Sequence, residues 1–376
     1  MKLYSISFFI VLFCPVLFSC AGNSNGATQV NNPELPAQDS LPKLAADSNK
    51  KDTISIVAVG DIMIGSHYPS RKNLPPDDAR NSFKQIAQYL KGDIVFGNLE
   101  GALLDEGKST KCKDPNSTSC YAFKMPERYG GIIQKAGFNL LSTANNHVGD
   151  FGAAGRSRST KILDSLGIHH AGLVSQPYTI FQKDSITYGF CAFSPNDFTP
   201  QITAIDSAKL IVEQLKRMAD IVIVSFHGGA EGAKHEHVTR QTEIFYKEDR
   251  GNVYEFAHAV IDAGADVVLG HGPHVTRAVE VYKNKFIAYS LGNFCTYGQF
   301  SLSGPNGIAP IVNLKINNKG DFLFADIQSV KQDKINRLTI DPNQAAFKKI
   351  IHLTNTDFPE HRLEFSKGRY IHLKPE

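Results

Sequence analysis

The sequence predicts an α/β domain with a small antiparallel β addition toward its C-terminal end. Three observations predict it. From residue 53 onward, apolar runs of strand length alternate with stretches of helical periodicity. Run after run ends in glycine or asparagine beside a carboxylate, amide or imidazole, at the place where open α/β sheets bind ligands. Past residue 308 the rhythm changes to apolar–polar alternation around "NNKGD", the pattern of a hairpin.

The elements follow in order. "TISIVAVGDIMIG" is a buried strand with Gly60 and Asp61 toward its C-terminal end. "SFKQIAQYLKG" has helical spacing and predicts a helix. "DIVFGNLEG" is a second buried strand, delivering Asn98 and Glu100. "GIIQKAGFNLLSTANNHVGDFG" predicts helix, strand, then a loop with Asn145, Asn146, His147 and Asp150. "TKILDSLGIHHAG" predicts a helix and a short strand, and "SITYGFCAFS" a strand. "AKLIVEQLKRMADIVIVSFHGGAE" predicts helix, strand, then His227 and Glu231. "VYEFAHAVIDAGADVVLGHGPHV" repeats that unit and delivers His271 and His274. "KFIAYSLGNF" predicts one more strand, carrying Asn293.

The first residues are a different kind of sequence. Lys2 and a short apolar run read as an export signal, too brief for a comfortable membrane span. The run stops at "VLFSC", which resembles a bacterial lipobox with Cys20 as the lipidated residue; a plain signal peptide with an incidental cysteine is the alternative. Residues 21 to 50 are polar and rich in Asn, Ser, Pro and Ala, a tether composition. The expected organisation is a signal over 1–19, a lipidated Cys and tether over 20–52, the α/β domain over 53–310 and the β-rich extension over 311–376. The expected place is the cell envelope, bound to a bacterial membrane through the lipid anchor. An exported chain can hold a disulfide, and Cys112 and Cys120 flank a polar turn segment of suitable length. Cys191 and Cys295 lie in apolar contexts and read as buried thiols. A net charge of +3 over 376 residues gives no support for nucleic acid as the main partner, which usually calls for a clustered basic face.

The strand-end residues are the chemical signal: Asp61, Asn98, Glu100, Asn145, Asn146, His147, His227, Glu231, His271, His274 and Asn293. Carboxylate, amide oxygen and imidazole together suit Mn, Zn, Fe or Mg, as one ion or two. Such a cation polarises a substrate oxygen, and a histidine outside its shell can move a proton. Each piece also has a plain reading. A Gly-Asp after a strand is commonly a turn or a cap, and Gly-His-Gly-Pro-His is also what a turn looks like. The joint occurrence at five strand ends is what favours a site. His169, His170, His235, His237 and His258 read as surface or core residues, with His235 and His237 candidates for the rim.

"VAVGDIMIG", "GNLEG", "STANNHVGDFG", "SFHGGAE", "GHGPHV" and "YSLGNF" resemble, in order, the motifs of the bacterial capsule and poly-γ-glutamate synthesis family called CapA or PgsA. The resemblance implies a calcineurin-like metallophosphatase fold: a four-layer α/β/β/α sandwich with a metal site between two sheets. It implies metal ligands at Asp61, Glu100, Asn146, His227, His271 and His274, and catalytic roles for His147, Asn146 and Glu100. Asn98, Asn145, Glu231 and Asn293 are left to bind substrate. It also implies a partner, an anionic polymer or its synthesis machinery. Two departures bear on activity. Met63 stands where metallophosphatases carry a histidine, and Asn98 where they carry an aspartate, with Glu100 two residues on.

Overall fold

The computed structural model of the protein describes residues 51–374, apart from 115, 116, 118, 333–337 and 367. The expected export signal, the expected lipidation at Cys20 and the expected tether through residue 50 lie outside the described residues. Two sheets dominate. The first has ten strands among the described residues. At its centre Thr53–Met63 pairs in parallel with Ile94–Leu99 and antiparallel with Ile308–Asn317. Leu140–Ser142 and His169–Ala171 extend the parallel side, and Phe322–Gln332 the antiparallel side. The second sheet has six strands, with Ile221–His227 and Val267–His271 paired in parallel near its middle. The strand Ile308–Asn317 runs across residue 310, so the β-rich C-terminal part belongs to the main sheet through its ladder with Thr53–Met63.

Why two sheets face each other follows from the side chains. Ile54, Ile56, Ala58 and Phe96 of the first sheet meet Tyr188, Phe190, Ile223 and Val267 of the second in one core. Alternate residues point outward and bury against helices. Val57, Val59 and Val95 pack on α1 (Tyr129–Lys135) and α2 (Gly152–Ser165). Val222, Val224 and Val268 pack on α3 (Ile205–Met218) and α4 (Val253–Asp262). Both faces of each sheet are thus covered, which explains the near-continuous apolar runs. The result is the expected α/β/β/α layering. A fifth helix, α5 (Ala345–Asp357), places Phe347 and Ile350 in the core shared by the two sheets.

The helices begin and end where local chemistry allows. Asn252 caps α4 by accepting from Glu255 N, and its amide donates back to the Glu255 carboxylate. In α3, Asp206 sits in the first turn and Lys216 and Arg217 in the last, matching the helix dipole.

Two expected elements differ. The "SFKQIAQYLKG" segment is not an α-helix. Its backbone bonds run three residues back, as in Ile86 N to Phe83 O at 3.1 Å and Tyr89 N to Ile86 O at 2.9 Å. Phe83, Ile86 and Leu90 are buried, so the helical spacing is real, but it is wound as consecutive turns with a 3₁₀ turn at Ala87–Tyr89. Asp78 and Ala79 just before it have positive φ. "KFIAYSLGNF" is two strands, not one. Lys285–Ala288 lies in the second sheet and Asn293–Thr296 in the first. Residues 289–292 cross between the sheets, and Gly292 turns there at φ 65°.

That crossing explains two glycines. Leu291 N donates to Gly270 O at 3.1 Å, and Asp61 N donates to Gly292 O at 2.9 Å. A Cβ at Gly60 would lie 1.8 Å from Gly292 O, and one at Gly270 would lie 2.4 Å from Tyr289 O. Backbone passes too close for a side chain at either place. The glycines before Asp61 and His271 therefore let one connecting segment hold both site strands together.

Candidate metal centre

The strand ends from both sheets meet in one buried cluster. Asp61 lies toward the end of the central strand of the first sheet and is fully buried. His271 Nδ1 lies 3.2 Å from Asp61 Oδ1, and His274 Nδ1 lies 2.9 Å from Asp61 Oδ2. These contacts join the two sheets. Asn98 Nδ2 donates to Asp61 Oδ1 at 2.9 Å. Asn145 Nδ2 donates to Asn98 Oδ1 at 3.1 Å and to Leu99 O at 2.9 Å, which fixes the loop after Ser142. Glu100 brings Oε1 to 3.5 Å from His274 Nε2 and 3.9 Å from His147 Nε2.

The cluster has an excess of unpartnered polar atoms. Both Glu100 oxygens, both His227 ring nitrogens, His271 Nε2, Asn146 Oδ1 and Asn293 Oδ1 are buried without a hydrogen-bond partner. A buried polar atom left this way costs about 1–3 kcal/mol. With Nδ1–H donated to Asp61, the His271 tautomer leaves Nε2 as a bare acceptor aimed into the cluster. Ligand atoms of Asp61, Glu100 and His227 all lie within 4.8 Å of one another. Hard oxygen and imidazole donors, buried and unsatisfied, fit a divalent cation.

Charge is distributed unevenly. Burial opposes ionisation of Asp61, but the hydrogen bonds from His271 and His274 outweigh it and hold the carboxyl below its usual range. Burial, then the Asp61 charge, pushes Glu100 well above the usual carboxylate range. Burial drives His227 well below the usual histidine range. Burial also works against a charged His274, yet the Glu100 and Asp61 carboxylates raise it to about 10.

His147 is built differently. Its Nδ1 lies 2.7 Å from Asp150 Oδ2, and Asp150 Oδ2 also accepts Phe123 N at 2.7 Å. Its main-chain N donates to Asn145 Oδ1 at 3.1 Å. Phe123 stacks on the imidazole at 3.9 Å, and Phe300 lies 4.9 Å from Phe123 and 5.5 Å from His274. Burial lowers the His147 pKa, Asp150 opposes this and Lys111 adds to it. The ring is thus clamped at Nδ1 while Nε2 points toward Glu100.

The remaining expected residues flank this centre. Asn293 pairs with Asp61 in the ladder, and its Nδ2 donates to Asn306 O at 3.2 Å. Glu231 is ion-paired with the buried Arg250 and acts electrostatically on Glu100 and His274. His237 Nδ1 bonds Asp357 of α5 at 2.7 Å, and His235 lies against Phe245. Cys112 and Cys120 form a disulfide, and Cys191 and Cys295 are buried thiols. The Met63 side chain is fully buried in the core between the first sheet and its helices. Sequence reasoning missed Asp150 as the partner of His147, though its place three residues on was the available signal. It also missed Arg250, Lys111 and the Phe123–Phe300 pair, for which the sequence carries no local signal.

Fold and site together define an α/β/β/α sandwich of the metallophosphatase-like kind, with a carboxylate–amide–imidazole cluster at the strand ends. Residues 55–297 match the family described as bacterial capsule synthesis protein PGA_cap, and the chain belongs to that family. The chain is 30% identical over 271 residues to the capsule biosynthesis protein CapA of Bacillus anthracis, a match covering 65% of this chain and 60% of that protein. It is 27% identical over 323 residues to the PGA biosynthesis protein CapA of Bacillus subtilis strain 168, covering 80% of this chain and 79% of that one. Among solved structures, a hypothetical protein from Thermus thermophilus is 16% identical with a TM-score of 0.46, covering 74% of this chain and 100% of that one. A purple acid phosphatase from yellow lupin seeds is 12% identical with a TM-score of 0.39, covering 75% and 52%.

Proposed function

We propose that this chain takes part in capsule or poly-γ-glutamate synthesis or export at the cell envelope, through a metal-dependent hydrolase-like site. The observation that carries the metal reading is the set of buried, unpartnered atoms on Glu100, His227 and His271 around the Asp61 carboxylate. Asp61, Glu100, Asn146, His227, His271 and His274 would hold the cation. When bound, a divalent cation supplies Lewis-acid polarisation of a substrate oxygen. The chain's own residues do the rest. Asp150 fixes the His147 ring through Nδ1 and leaves Nε2 to exchange a proton with a leaving group. Phe123 and Phe300 wall the centre and limit water. Asn145 and Asn98 hold the first-sheet side of the cluster in register with Asp61.

The test is turnover. The purified chain, supplied with Mn or Zn, releases product from a γ-glutamyl polymer or a phosphoester, and Asp61→Ala, His147→Ala and His271→Ala each abolish release. Unchanged function in all three variants, in a protein that holds no metal, would falsify the reading.

Asn98 favours a second reading, a non-catalytic polymer-binding or scaffold protein. Its amide nitrogen, a donor, lies against Asp61 where a carboxylate would be a further ligand. Metal uptake with polymer binding and no turnover is its signature. Anchoring through Cys20 belongs to the same proposal; fatty-acid labelling that survives Cys20→Ala would exclude it.

A further inference from the structure

A short strap lies across the loop that carries His147. Thr110 N donates to Asp150 O at 2.8 Å, Thr110 Oγ1 to Gly149 O at 2.9 Å and Ser109 Oγ to Asp150 O at 3.1 Å. On its other side Cys112 is 5% exposed, packs with Ala102, Leu104, Ala122 and Phe151, and is joined to Cys120. Lys111 is held between these two anchors. Its Nζ lies 3.3 Å from Asn146 O and 3.3 Å from Asp150 Oδ1. An ammonium has three donors, of which one is bonded to Asn146 O, while Asp150 Oδ1 is an ion-pair contact. The side chain is 38% exposed, which leaves the third donor open to a ligand. Elsewhere at the centre Arg250 is committed to Glu231.

We propose that Lys111 is a specificity-determining residue that takes an anionic group of the ligand at the edge of the centre. This rests on the reading of the ligand as an anionic polymer. A fixed backbone on both sides places the ammonium without the ordering cost that a loop lysine ordinarily bears. The competing role is positioning alone, in which Lys111 only steadies Asp150 and, through it, His147.

Binding separates the two. The probe is a fluorescent γ-linked glutamate decamer, added to the full chain with its disulfide intact and followed by anisotropy. Lys111→Met weakens binding about tenfold at low salt, the loss of one charge-assisted contact. The deficit shrinks at high salt, because a half-exposed charge is screened. Lys111→Arg restores most of the affinity, and Lys113→Met, exposed on the same segment, leaves it unchanged. Metal content stays as in the parent. Equal affinity in Lys111→Met overturns the proposal, as does a loss indifferent to salt or a parent chain that ignores the decamer. A chain that holds metal but ignores the decamer refutes this inference alone. A chain that binds the decamer through Lys111 without taking up metal refutes the metal reading alone.

Discussion

Replacing Gly60 by alanine should damage both stability and the site, and the structure sets the size. The new Cβ would sit 1.8 Å from Gly292 O and 2.6 Å from Leu291 O, where real Cβ contacts essentially never fall below 3.0 Å. Both obstacles are main chain, so no side chain can swing aside. The strand and the crossing segment must part by about 1 Å, and overpacking of this kind costs about 1–3 kcal/mol. The parting also stretches the bond from Asp61 N to Gly292 O, now 2.9 Å, worth about 1 kcal/mol. The sum is about 2–4 kcal/mol, a melting shift of roughly 3–6 °C for a domain of this size. Because Asp61 is the next residue, metal content should fall as well. Gly131→Ala is the matched control: it lies in α1 and its Cβ would meet nothing within 4 Å. That change should stabilise by about 0.4–1 kcal/mol. Urea unfolding and metal analysis of both variants measure the contrast. Parent-like stability and metal content in Gly60→Ala would refute the reasoning about the crossing segment.

Two further outcomes are expected. Asp150→Ala removes the acceptor for His147 Nδ1 and Phe123 N and, with two buried donors orphaned, should cost about 2–4 kcal/mol in urea unfolding. Asp150→Asn keeps one acceptor and should cost less; no difference between the two would mean that His147 is not anchored there. Asp93 titrates low in the folded state: burial opposes this, and contacts from Lys51 Nζ and Ser55 N outweigh it. A depressed carboxyl contributes stability that is present above the unfolded-state pKa and is lost as pH falls through the folded value. Denaturation of the parent at stepwise lower pH should show that loss, and Asp93→Asn should flatten it; identical acid profiles would exclude the linkage.

Much of this fold was legible because the sheets are buried on both faces. That condition writes apolar runs such as "ISIVAV" and "DVVLG" directly into the sequence, and places polar residues where each run stops. The ligand set was legible for the same reason: Asp61, Glu100, His227 and His271 each stand at or just past the end of such a run. What failed depended on long-range structure. The spacing of Phe83, Ile86 and Leu90 is compatible with either an α-helix or successive tight turns, and nothing local decides between them. "KFIAYSLGNF" reads as one apolar strand because nothing local shows that its two halves serve different sheets. Lys111 and Arg250 reach the centre through tertiary contacts from loops whose composition is ordinary. The Gly-His-Gly-Pro-His turn is clearer than its composition: Gly270 admits the crossing backbone, and His271 and His274 both reach Asp61.

The buried donors around Asp61 should hold a divalent cation. The most direct measurement is metal content by mass spectrometry after loading and desalting, paired with melting with and without chelator. About one or two equivalents of metal are expected, with a chelator-induced destabilisation near 2.7 kcal/mol when free metal had stood at about 100 times its dissociation constant. A variant combining Asp61→Ala and His227→Ala should carry no metal and ignore the chelator. A parent chain that takes up no Mn, Zn, Fe or Mg, and melts identically with and without chelator, would contradict the metal reading.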